Sequence, residues 1–372
     1  MKKIIIGALS LLALVACSKN QVIDENRDDK VIEFGVVANS LTRAETVYSN
    51  TNMPEAFTVW ATFDGKTFID GDIIKKQADG TWKNITTTRY WPAGCSDTKK
   101  VTFYAYVNDC ETFKGIEPLM GIASFENFKV NEKVTQQKDM LYATAYASSG
   151  PVNLEFKHAL YQVAYNAKCT NENLRVVIDG VTICNVADQN SFYVGNASGQ
   201  EYITWTTYPN VGTAKFPVTF DPVTLDSKNV GKVETLTIPN SNNALLLVPF
   251  ANQNEGTWNP ATEELANTEH AYFLVKCAIA NVADDDDEIM LWGAKNQDGT
   301  YVTKEIAIPI PGEHLISFAS GKQIIYTFVF GQGNGGYNPE NNKPVLAPVE
   351  WGEIKVNDFQ NGIGFPADII MK

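Results

Sequence analysis

Val31-Ile-Glu-Phe-Gly-Val-Val-Ala38 places Ile32, Phe34, Val36 and Ala38 on one face of an extended chain, the period-2 pattern of a half-buried strand. Comparable stretches recur at 56–63, 101–107, 152–156, 160–167, 176–178, 244–249, 271–279, 305–309 and 324–330. Turn chemistry separates many of them, in Asp64-Gly65, Asp70-Gly71, Asp79-Gly80, Asp179-Gly180 and Asp298-Gly299. Helical periodicity is scarce; 133–143 and 259–268 are the short pieces that fit it. Close-spaced strands with Gly, Asp and Asn turns predict an all-β chain of β-sandwich type. Small residues and proline at Ala147-Ser148-Ser149-Gly150-Pro151 predict a domain break, with one sandwich over 31–148 and a second over 149–372.

Upstream, Lys2 and Lys3 precede an apolar run from Ile4 to Ala16, well short of the ~20 residues of a membrane-spanning helix. Residues 1–16 therefore read as a signal peptide. Leu14-Val15-Ala16-Cys17, with Ser18 next, resembles a bacterial lipobox, in which the cysteine thiol accepts diacylglycerol before cleavage. An ordinary secretory signal with an incidental cysteine is the alternative. On the lipobox reading Cys17 is the lipidation site, an outer-membrane lipid anchor holds the chain, and residues 17–30 form a flexible tether.

The formal net charge of −13 argues against nucleic acid as a partner, because phosphates demand basic clusters. Cys95, Cys110, Cys169, Cys184 and Cys277 lack C-x-x-C spacing. The near pairs Cys95–Cys110 and Cys169–Cys184 either bridge neighbouring strands or remain buried thiols. His158, His270 and His314 form no metal pattern, and His158 reads as a structural imidazole. Asp284-Asp-Asp-Asp-Glu288 is either a calcium site or a solvated turn. The tryptophans are core residues or a sugar-stacking platform. No catalytic constellation, metal site or cofactor is expected.

The chain resembles the fimbrillin-like subunits of type V pili of Bacteroidales. The resemblance rests on Val31-Ile-Glu-Phe with Leu41-Thr-Arg-Ala44, Tyr90-Trp-Pro92, Phe103-Tyr-Ala-Tyr-Val-Asn108 and Lys138-Asp-Met-Leu-Tyr-Ala143. Val152-Asn-Leu-Glu-Phe-Lys-His-Ala-Leu160, Ala244-Leu-Leu-Leu-Val-Pro249 and Gly321-Lys-Gln-Ile-Ile-Tyr-Thr-Phe328 complete it. It implies two transthyretin-like β-sandwich domains in tandem and export as a lipoprotein. It further implies cleavage by an arginine-specific or trypsin-like protease, matched here by Arg43-Ala44, and polymerisation with other pilin subunits by strand exchange. Cleavage at Arg43 would release the strand carrying Ile32, Phe34, Val36 and Ala38. A tip or anchor adhesin of the same family, bound to a host protein or glycan, is a close variant. A non-polymerising surface glycan-binding lipoprotein is the alternative from another class.

The C-terminal stretch 352–372 offers a donor strand. Ile363, Phe365, Ala367, Ile369 and Met371 share one face under strict alternation. Burying four large apolar side chains gives on the order of 6–12 kcal/mol, against about 1–2 kcal/mol per backbone residue ordered. Side-chain fit to a preformed groove therefore decides the outcome. The competing reading is that the tail completes its own domain.

Overall fold

The structure, a computed structural model, describes residues 31–37, 54–107, 113–206, 214–238, 245–249, 271–282, 288–310, 319–331, 338–340, 345, 350–351, 354–358 and 367–369. Among these the regular elements are strands and one 3-10 helix, Val134–Gln136. The chain is all-β.

The first sheet runs in the order Lys157–His158, Leu141–Ala147, Val101–Val107, Ala56–Phe63, Lys66–Lys76, Trp82–Asn84, Phe34–Val37, Val152–Glu155. Its two outermost strands are separated in sequence only by Phe156. The run 152–158 thus pairs with both ends, and the sheet curls round on itself. Phe34, Phe57, Val59, Phe103, Leu154 and Phe156 fill the interior.

Alternate residues of the central strands point outward yet are also covered. Trp60, Tyr104 and Tyr106 are buried beneath a four-stranded sheet ordered Gln200–Trp205, Gln189–Ala197, Ile122–Lys129, Phe113–Glu117. Trp60 stacks on Tyr106 at 4.4 Å and meets Phe113 at 4.2 Å, an aromatic geometry worth about 0.5–1.5 kcal/mol per pair beyond burial. Strands from both halves of the sequence build this covering sheet.

Two further sheets face each other. One runs Glu234–Thr235, Tyr161–Cys169, Lys322–Phe330, Ile354–Asp358, Ala367–Ile369, with Tyr161–Cys169 and Lys322–Phe330 parallel. The other runs Ala214–Leu225, Leu174–Val186, Tyr272–Asn281, Ile289–Trp292, with Lys304–Pro309 also paired to Tyr272–Asn281. Phe273 of the latter meets Tyr165, Tyr326 and Phe328 of the former at 4.9–5.6 Å.

Three sequence expectations change. The helical piece at 133–143 is one 3-10 turn followed by strand Leu141–Ala147. Tertiary bonds outweigh its weak periodicity: buried Gln137 accepts from the Leu246 N–H at 2.8 Å and donates to the Asn131 carbonyl at 2.9 Å. Asp70-Gly71 and Asp179-Gly180 are bulges inside long strands rather than turns. Gly71 has φ +81° with the Trp60 indole 3.5 Å from where a Cβ would stand. The expected link at 147–151 joins two strands of the first sheet. The other helical piece, 259–268, lies outside the described residues.

Candidate assembly site

Phe34–Val37 is the first described strand, and its two sides differ. On one side it runs parallel to Val152–Glu155, with Phe34 opposite Val152 and Val36 opposite Leu154. The Val152 N–H donates to the Glu33 carbonyl at 2.7 Å. On the other side contact is brief: Phe34 faces Trp82, Val31 bridges Tyr90, and the Ile32 N–H donates to the Arg89 carbonyl at 2.8 Å.

The apolar face of this strand seats it. Ile32 and Phe34 are 4% and 6% exposed, and the Phe34 ring meets Phe103 edge-on at 6.0 Å. Val36 packs against the same core, half-buried. Full burial of each large side chain gives roughly 1.5–3 kcal/mol, so Ile32 and Phe34 dominate the hold. Outward-facing Gly35 lies under the Asn153 amide, which a Cβ there would push aside.

The brief wall is fixed from the neighbouring strand of the same sheet, Lys66–Lys76. The Asp72 carboxylate accepts from Arg89 Nε at 2.8 Å and Nη2 at 3.1 Å, and from Asn84 Nδ2 at 2.7 Å. Asn84 Oδ1 in turn accepts from the N–H groups of Thr86 and Thr87. One buried carboxylate, which the period-2 reading of the strands did not single out, thereby ties down Asn84 and Arg89, beside the ladder that pairs Trp82–Asn84 with Ile74–Lys76.

The other predicted site residues lie apart from this groove or beyond the described chain. Cys17, Ala38, Arg43, Ala44, Ile363, Phe365 and Met371 lie outside the described residues. Ala367 and Ile369 belong to a short strand at the outer edge of the sheet that contains Tyr161–Cys169 and Lys322–Phe330, antiparallel to Ile354–Asp358, with Ile369 opposite Ile354. The tail strand and the N-terminal strand therefore sit in different sheets of the same chain.

A cavity of about 410 Å³ opens where the covering sheet meets the edge of the first sheet, lined by Thr144, Tyr146, Asn153, Lys157, Asn196 and Glu201 among others. The Glu201 carboxylate accepts from the Thr144 N–H and hydroxyl at 2.8 and 2.9 Å and from Lys157 Nζ at 2.6 Å. Asn196 donates to the Thr144 hydroxyl at 2.8 Å. These bonds fix a polar wall in place.

His158 is a core residue: its Nδ1 lies 2.6 Å from Asp139 Oδ2, with both side chains fully buried. Cys169, Cys184 and Cys277 are buried free thiols and Cys95 is a half-buried one, so Cys169 and Cys184 do not bridge; Cys110 lies outside the described residues. Trp60 and Trp91 are core. Residues 283–287 lie outside the described chain, while Glu288 pairs with Lys295, Arg175 and Tyr301. Among the described residues no group of His, Cys, Asp and Glu is placed to hold a metal ion, and no helix is long and apolar enough to cross a membrane.

Comparison with solved structures finds a fimbrial protein of Bacteroides vulgatus, 14% identical, with TM-score 0.54 over 89% of this chain and 100% of that chain. A candidate cell-adhesion protein of Parabacteroides distasonis is 11% identical, with TM-score 0.47 over 89% of this chain and 99% of that one. A candidate cell-adhesion protein of Bacteroides uniformis is 13% identical, with TM-score 0.43 over 88% and 98%. At these identities the first likeness speaks for the fold alone. No curated protein matches the chain. The family model described as fimbrillin-like matches residues 42–345, most of the sequence. The chain belongs to the fimbrillin-like family.

Proposed function

We propose that this chain is a structural, adhesive subunit of a cell-surface fimbria. It is exported as an outer-membrane lipoprotein on Cys17, cut between Arg43 and Ala44, and polymerised with other pilin subunits by donor-strand exchange. The observation that carries this reading is the seat of the first strand. Ile32, Phe34 and Val36 plug the core of the first sheet, and the strand is N-terminal to Arg43, so a cut there severs plug from body. Withdrawal bares unpaired backbone and an apolar groove together, the edge hazard that folded proteins suppress. A strand from another subunit restores both, which is β-augmentation. The tail carrying Ile363, Phe365, Ala367, Ile369 and Met371 has the alternation such a donor needs.

Treating the purified full chain with a trypsin-like protease tests this. Cleavage after Arg43 followed by fibres or SDS-resistant ladders is the expected result. A chain that stays monomeric after verified cleavage, or that assembles equally well without its last ten residues, rules the mechanism out.

The polar cavity beside Glu201 favours a second reading, a glycan-binding adhesin at the tip of the fimbria. Its fixed donors and acceptors and the Tyr146 ring suit a neutral, hydroxyl-rich ligand. Glycan-array binding abolished by Glu201→Ala, without ladder formation, would support that reading over the first.

A further inference from the structure

We propose that Asp72 is a positioning residue for strand exchange, acting through Arg89 to hold one wall of the groove in shape once the N-terminal strand has left. The inference rests on the strand-exchange reading above and names what keeps its acceptor groove formed.

Asp72 is 2% exposed in a strand that otherwise alternates between an apolar inner face and a solvated outer one. The bulge at Gly71 brings it there. Asp70 opposes Trp60 while Asp72 opposes the very next residue, Val59, so the register shifts by one. Ile69, Asp72 and Ile74 then turn inward, leaving Ile73 exposed. Bulges of this kind re-aim a side chain, and here the re-aimed group is a carboxylate.

A buried carboxylate persists only when paired and hydrogen-bonded. Asp72 meets that condition with a fork from Arg89 and a donor from Asn84, and a two-bond guanidinium contact fixes orientation as well as charge. The Arg89 side chain reaches inward to Asp72, while the Arg89 carbonyl reaches the other way to the Ile32 N–H. One residue thus joins the buried anchor to the strand that leaves.

In the intact chain residues 82–86 pair with Lys66–Lys76, and the Arg89 end of the wall is held from both sides. The strand holds it through the Val31–Tyr90 bridge and the Ile32–Arg89 bond, and Asp72 holds it from the opposite side. When the strand departs, the first support goes and the Asp72 support stays. A groove that keeps its shape spares an incoming strand the ordering of residues 82–91, and preorganisation of this kind is gained directly as affinity. The occupant is an extended apolar segment of a second copy of this chain.

Hydrogen–deuterium exchange on the full chain separates this role from ordinary stabilisation. Phe34→Asp places a charge in the core and expels the strand. Ile32→Pro is the milder variant, removing the N–H that reaches Arg89 and part of the buried Ile32 side chain while leaving Phe34 in place. With the strand seated, Asp72→Asn should speed exchange at residues 82–91 by less than about threefold. With the strand expelled by either variant, the same substitution should speed it by at least about tenfold. Equal effects of Asp72→Asn in both backgrounds would overturn the proposal and leave Asp72 a plain structural residue. After proteolysis at Arg43, Asp72→Asn should slow ladder formation by about tenfold with cleavage unchanged. Ladders that form at the unmodified rate would also overturn it. If the unmodified chain is cut and never assembles, the strand-exchange reading falls, while the exchange data still decide whether Asp72 holds the empty groove.

Discussion

The rings of Phe125 and Phe192 stack 4.4 Å apart with their planes within 2° of parallel, and they come from opposite sides of the connection at 147–151. Their strands, Ile122–Lys129 and Gln189–Ala197, also share a backbone ladder. Trp205 continues the stack, 4.5 Å from Phe192. Tyr106 of the first sheet meets Phe125 edge-on at 5.2 Å, so the first sheet and the covering sheet share one aromatic seam. Phe192→Ala should destabilise the chain by about 3–5 kcal/mol, and adding Phe125→Ala should cost less than its single effect because the two rings share a contact. Urea unfolding read by tryptophan fluorescence measures both.

Phe34 is the main apolar anchor of the N-terminal strand. Phe34→Ala should release residues 31–37 well before the remainder unfolds, since only a short ladder and Ile32 then hold them. Limited proteolysis should cut in this segment at denaturant concentrations where near-UV circular dichroism is still native.

The Asp139–His158 pair is fully buried. Asp139→Ala removes the carboxylate from a buried imidazole and should cost about 3–5 kcal/mol, whereas replacing both residues by apolar ones of similar size should cost far less. Thermal unfolding of Asp139→Ala, His158→Phe and the Asp139→Leu/His158→Phe pair gives the comparison.

Burial pushes the Glu288 carboxyl upward, but hydrogen bonds from Lys295 and Tyr301, with Arg175 close by, outweigh it and hold the group below its ordinary value. A carboxyl depressed in the folded state stabilises the fold above its unfolded value and loses that contribution as pH falls through the folded one. Glu288→Gln should therefore lower the melting temperature at pH 7, and the gap from the unmodified chain should close as pH drops below the ordinary glutamate range.

Burial raises the thiols of Cys169, Cys184 and Cys277, Cys184 to about 11. The thiolate is the reactive form, so these three should resist iodoacetamide at pH 7.5 in the native chain and react fully in guanidinium. Cys95 is half-exposed, and peptide mass mapping should find it alkylated before the other three.

Much of the framework is legible in the residues because period-2 alternation survives wherever one face is solvated. Within 31–38 the structure has the strand Phe34–Val37, with Ile32 and Phe34 inward, and 56–63, 101–107 and 324–330 stand out through aromatic and β-branched content. Other strands hide for physical reasons. Gln189–Ala197 and Gln200–Trp205 gain their hydrophobicity from a few aromatic rings stacked across neighbouring strands, Phe192 on Phe125 from far earlier in the sequence, which no local window registers. Asp70-Gly71 and Asp179-Gly180 carry turn chemistry yet serve as bulges, since a glycine with a left-handed or closely approached backbone suits either use. The carboxylate of Asp72 looks like one more surface charge until the bulge turns it inward.

The parallel alignment of Phe34–Val37 with Val152–Glu155 also sets how the molecule answers tension. A pull on the N-terminal end runs along the strand axis and loads the whole ladder in shear, so its hydrogen bonds yield together. An antiparallel hairpin end, drawn apart from its tip, peels one bond at a time. The first strand is thus hard to drag out by a pull along its own axis.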